Sequence, residues 1–217
     1  MSININDLET GDILLFRGTT WYDYLIEYLG YSPYSHVAMV LNKILYISPF
    51  LRDIYTLESG MENVPDAEDK KIKFGVQINK LQDVLAKCQD KSVYVRKLTC
   101  NRTPEFFEEL KNIHTEIHNK PYDVNIIDWL EAKLLVNNND IKKTQEEFKD
   151  NNVQKTNTFW CSALITYIYT QLGLVELKDK TIKEIPWTII ATKEFSKDGN
   201  VLLNFINCSL GDELLLK

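Results

Sequence analysis

Among the side chains able to do chemistry in this 217-residue sequence, Cys161 has the most suggestive surroundings. It stands near the front of TNTFWCSALITYIYTQLGL, residues 156–174, where apolar residues recur at Trp160, Ala163, Leu164, Tyr167, Ile168 and Leu172. That spacing predicts a helix with a thiol in its first turn, capped by Thr158 or Thr156 and ending at Gly173. The positive end of the helix dipole favours thiolate there. A free thiol has a pKa of about 8.5, and a helix N-terminus with a cationic neighbour brings it to roughly 3.5–7.5. A cysteine nucleophile also needs a base to take its proton, and an acceptor to orient that base. His36 opens a hydrophobic strand just after a Pro-containing loop, and Glu58 lies in a short, apolar-flanked strand beyond the next hairpin. Cys161, His36 and Glu58 fill the three roles if the fold brings them together. The Cys161 N–H, at a helix start, is then placed to donate to an oxyanion. The simpler reading is that Cys161 is a small buried hydrophobe.

The elements that must position these groups follow from periodicity and punctuation. LETGDILLFRG sets a Gly-Asp turn before a buried strand, Ile13 to Phe16, with Asp12 bonding its own turn. Trp21, Tyr24, Leu25, Tyr28 and Leu29 recur at helical spacing, bounded by Gly30 and Pro33, and read first as core packing. SHVAMVLNKILYIS reads as a strand pair: Val37 to Leu41, a tight Asn42-Lys43 connection, and a return over Ile44 to Ile47. Residues 54–60 extend that sheet, residues 60–73 form a loop, and Phe74 to Ile78 is a short strand. A brief helix, Leu81 to Ala86, and a strand, Ser92 to Leu98, come next. Thr103 caps a second clear helix, with Pro104 in its first position and Glu105 favourable to its dipole. Phe106, Leu110, Ile113 and Ile117 form its buried stripe. His114 and His118 lie beside that stripe and read as structural, for want of a partner motif. Residues 120–123, KPYD, end this helix in a turn, and Ile126 to Val136 looks helical. Residues 137–157 are a polar surface insertion, not a domain boundary. TIKEIPW is a loop, Val201 to Ile206 a late strand, and the Leu-rich tail packs or frays.

Composition bounds the function. Hydrophobic residues make up 44% and charged residues 26%, an ordinary balance for one folded domain over residues 1–217. A net charge of −6, with no Lys/Arg run, argues against a nucleic-acid surface. Four scattered cysteines (88, 100, 161, 208) suit a reducing compartment with free thiols. No signal pattern and no run of about 18 apolar residues is present. A soluble, cytoplasmic or otherwise intracellular protein is expected, a virion location being compatible. No cofactor is expected, and a zinc site through His36 and Cys161 lacks a closely spaced ligand pair.

Taken together, GDILLF, SHVAMV, YTLESG, KPYD and FWCSAL, in that order over residues 11–173, resemble a known family. It is the circularly permuted branch of the NlpC-type papain-like superfamily, which holds YiiX-like proteins, poxvirus members and lecithin:retinol acyltransferase-like enzymes. The order His, acid, Cys is that of the permuted branch. The resemblance implies an α+β fold, an antiparallel sheet packed against the helix that carries the nucleophile. It implies Cys161 as nucleophile, His36 as general base and Glu58 as orienting acid, with Ser59 or Glu62 in that place if the strand register is shifted. Tyr122 matches a tyrosine near the relatives' active site, where its hydroxyl is a candidate for contacting substrate or helping an oxyanion, with Trp21 a further substrate-side candidate. Ser162 matches a small packing residue after the nucleophile.

The leading expectation is therefore a cysteine-dependent hydrolase, peptidase or acyltransferase. Cys161 attacks an amide, ester or thioester carbonyl, and water or a second acceptor resolves the acyl-enzyme. The aromatic segment from Trp21 to Tyr31 leads into His36 and could wall an apolar groove. That tilts the substrate slightly from peptidoglycan towards a lipid acyl group and leaves peripheral membrane contact open; a peptide or other small molecule is the alternative substrate. The competing class is a catalytically silent binding or virion-associated protein that keeps the fold. Oligomeric state is not legible.

Overall fold

The runs Ile13–Arg17 (β1) and His36–Asn42 (β2) are apolar at nearly every position because both faces of their sheet are covered. In the computed structural model, which describes residues 3–18, 32–60, 63–88, 91–123, 158–179, 190–199 and 201–216, side chains alternate between two cores. Ile13, Leu15, Val37, Met39 and Leu41 face one, and Leu14, Phe16, Ala38 and Val40 face the other. Ile54–Gly60 (β3), Gly75–Lys80 (β4), Ser92–Thr99 (β5) and Ser209–Leu215 (β8) complete a six-stranded sheet in the order β4-β3-β2-β1-β5-β8. All its pairings are antiparallel. Helix α1 (Leu81–Lys87) follows β4, and its Leu81 and Val84 close the second core. Helices α2 (Pro104–Ile117) and α3 (Cys161–Gln171) contribute to the first core. Val175–Leu177 (β6) and Leu203–Phe205 (β7) form a separate two-stranded sheet. The architecture is α+β. Among the described residues no helix is long and apolar enough to cross a membrane.

Local chemistry accounts for the element ends. Thr103 accepts from the Phe106 N–H and Pro104 opens α2, while Gly173, at φ +66°, ends α3. Gly11 turns into β1 at φ +94°, and an added Cβ would meet Leu98 Cδ2 at 2.9 Å. Asp12 is fully buried and does more than close its own turn. Its carboxylate accepts the Glu9 N–H at 2.8 Å and the Leu98 N–H at 2.9 Å, and it pairs with Lys97 at 2.7 Å. One buried carboxylate thus ties the N-terminal turn to β5.

Three expectations need correction. Residues 44–47 form a turn, not a returning strand, because the slot beside β2 is taken by β3, in register Met39 to Leu57. Thr158 does not cap α3: the N-cap is Trp160, which makes no side-chain capping bond, and the Thr158 hydroxyl donates to Asp123 instead, while Thr156 lies outside the described residues. The late strand is shorter, Leu203–Phe205, and pairs with β6, which the sequence reading did not anticipate. Of the two outcomes expected for the Leu-rich tail, packing holds, since it forms edge strand β8 paired with β5. Trp21 and its aromatic segment, Glu62, the helix at 126–136, the insertion at 137–157 and the TIKEIPW loop lie outside the described residues.

Candidate active site

Strand β2 starts at His36, so that imidazole stands at the rim of the sheet, 12% exposed, with its ring 5.4 Å from that of Phe16 on β1. Continuing the β2/β3 register from Met39–Leu57 sets Glu58 opposite Ala38, diagonal to His36 on the same face. His36 Nε2 and Glu58 Oε2 are 2.7 Å apart. Glu58 is fully buried, and its other oxygen accepts from the Thr56 hydroxyl at 2.7 Å. Both carboxylate oxygens therefore have fixed partners. The neighbouring Ser59 points to the opposite face and donates to the Phe159 carbonyl at 2.5 Å.

Cys161 is the first residue of α3 and is buried. Its N–H belongs to the first turn, where no intrahelical acceptor exists. Burial by itself pushes the thiol pKa up. A hydrogen bond and the charge of His36 oppose it, helped by the Val37 N–H and the Thr192 hydroxyl, and the thiol sits below its ordinary value. With Nε2 engaged by Glu58, Nδ1 is the ring nitrogen left for sulfur. The two sulfur-bearing neighbours of the first core behave oppositely. Burial raises the pKa of Cys100 and of Cys208.

The Thr192 oxygen is 4.0 Å from Cys161 Sγ and was not singled out in the sequence. It is placed by a short 3-10 turn, Thr192–Phe195, held from both sides. Buried Arg96 donates to the carbonyls of Phe195 and Ser196 at 3.0 and 2.6 Å, and to those of Gly211 and Leu210. Glu194 accepts the N–H groups of Val201, Leu202 and Leu203, each at 3.1 Å. Nothing local in the sequence marks Thr192, because its position depends on these distant clamps.

The structure thus brings His36, Glu58 and Cys161 together. Tyr122 approaches through the backbone, forming a bridge with Phe159, two residues before Cys161. Its ring stacks on Phe74 at 4.6 Å. Ser162 is buried, 3% exposed.

No protein-family model and no curated protein matches the chain. Among solved structures it is similar to YiiX from Escherichia coli O157:H7, described as a metalloprotein. The identity is 15% and the TM-score 0.47, with 96% of this chain and 88% of that chain covered.

Proposed function

We propose that the protein is a cysteine-dependent hydrolase or acyltransferase of the permuted papain-like type, acting on an amide, ester or thioester bond of a lipid acyl or peptide-type substrate. The observation that carries this reading is the chain of contacts from Glu58 through His36 to a thiol whose pKa is lowered by that same imidazole. Glu58 holds Nε2 and stabilises the imidazolium, Nδ1 takes the Cys161 proton, and the thiolate attacks the carbonyl carbon. The oxyanion receives the Cys161 N–H. His36 returns its proton to the leaving group as the tetrahedral adduct collapses to a thioester on Cys161. It then deprotonates water or a second acceptor, whose attack releases the acyl group and restores the thiol.

The test is intact-mass detection of an acyl adduct after exposure to short- and long-chain p-nitrophenyl esters and acyl thioesters. An adduct on wild type, absent from Cys161→Ala and slowed by about 10²–10⁴ in His36→Ala, is expected for a positioned base. A folded wild type that never acylates, and binds a ligand equally well with Cys161→Ala, would instead mark a binding protein.

A further inference from the structure

Helix α2 carries His114 in its last turn, and His118, the C-cap residue, follows four residues on with its N–H donated to the His114 carbonyl, which keeps the two one turn apart. Their rings meet edge to face, with centroids 4.8 Å apart. The loop between β3 and β4 lays Glu68 against both. Glu68 Oε2 is 3.0 Å from His114 Nε2 and 2.8 Å from His118 Nδ1. All three atoms lie within 4.8 Å of one another. Asp66 fixes the backbone that presents Glu68: its Oδ1 accepts the N–H groups of Glu68 and Asp69, and its Oδ2 that of Ile78. Lys73 adds a second tie, pairing with Asp66 and Asp69 and donating to Asn119 just beyond α2.

Both contacts lie at ion-pair distance, yet the ring nitrogens and the carboxylate oxygen are not aligned as hydrogen bonds. Glu68 Oε2 and His114 Nδ1 are buried atoms without a hydrogen-bond partner, and His114 is only 6% exposed. Buried carboxylate oxygens are rarely left so, because the lost solvation is costly. The spacing has another meaning. Two ligand atoms about 2.1 Å from one ion are ~3.0 Å apart at right angles and ~3.4 Å apart in a tetrahedron, so a small outward shift of Glu68 from its present 2.8–3.0 Å contacts would seat an ion. Two imidazoles and one carboxylate suit zinc, iron or cobalt better than the all-oxygen cations magnesium and calcium. We propose that Glu68 Oε2, His114 Nε2 and His118 Nδ1 bind one divalent first-row transition ion, with water completing its coordination. The ion clips the β3–β4 loop to α2, in a site that shares no residue with Cys161, His36 and Glu58.

The test is zinc titration of the full chain against a chromophoric chelator, with a parallel cobalt titration read by visible absorption. His118→Ala and Glu68→Gln are the variants of choice, since both side chains are partly exposed (23% and 22%) and their loss leaves the core intact. One equivalent of zinc is expected, retained in Cys161→Ala and weakened by about a hundredfold or more in each ligand variant, the upper end of what even supporting residues around a metal cost. The cobalt spectrum should show ligand-field bands without thiolate charge transfer, and zinc should raise the thermal midpoint of wild type but not of His118→Ala. Absence of stoichiometric binding would overturn the proposal. So would binding that survives both ligand variants, or that disappears with Cys161→Ala.

Discussion

His36 meets Glu58 between neighbouring strands of the main sheet, whereas His114 and His118 meet Glu68 where a loop lies against a helix. In the sheet, each carboxylate oxygen has one fixed partner, the imidazole on one side and the Thr56 hydroxyl on the other. One ring nitrogen then remains for the Cys161 thiol, an arrangement suited to moving a proton along a line. At the helix, a single carboxylate oxygen is shared by two rings without hydrogen-bond alignment. That arrangement has lone pairs to offer and no line for a proton to follow. On the two proposals, the same residue types suit proton transfer in one place and ion binding in the other, according to how many partners each atom has.

Substitutions can break this contrast, and the largest effects belong to the sheet site. Cys161→Ala should abolish acylation, and His36→Ala should slow it by about 10²–10⁴, while Glu68→Gln leaves the rate within error; progress curves with a p-nitrophenyl ester check all three. Glu58→Gln removes the charge behind the imidazole. Acylation should fall by about a hundredfold, the lower end for a positioned acid–base group, and the Cys161 alkylation midpoint should move up in pH with zinc affinity unchanged. A smaller effect is expected of Thr192→Val. A neutral hydrogen bond is worth about 1 kcal/mol, so Cys161 alkylation at neutral pH should slow by less than about tenfold. Smallest of all, zinc at one equivalent should leave Cys161 alkylation unchanged in wild type and in His118→Ala. Protection by zinc would mean that the ion prefers the thiol, and the contrast between the two regions would fall.

Much of the main sheet was legible because covered strands leave unbroken apolar runs, ILLF and VAMVL, that no surface element tolerates. The helix behind Cys161 was legible from its apolar spacing, although its cap was not. Thr158 has the right residue type, but Asp123, brought near by the turn after α2, takes its hydroxyl. Asn42-Lys43 resembles a hairpin turn, and Lys43 does adopt φ +57°. The chain nevertheless runs on through a turn to Ile54 before pairing with β2, a choice that depends on the whole sheet and not on the dipeptide. His36 and Glu58 could be singled out by type, while their 2.7 Å contact depended on a register that sequence alone left open. His114 and His118 showed their helical spacing openly, yet Glu68 belongs to a loop 46 residues before the first of them, and nothing local announces the meeting. Thr192 was hidden for the same reason, being set by Arg96 and Glu194.

The most direct test of the account is the pH dependence of iodoacetamide alkylation at each cysteine, resolved by mass spectrometry in wild type and His36→Ala. Cys161 should react with a midpoint below the free-thiol value of about 8.5, Cys100 and Cys208 only above it, and His36→Ala should remove the advantage of Cys161. A Cys161 that titrates with Cys100 and Cys208, or that is indifferent to His36→Ala, would contradict it and leave the thiol a buried part of the core.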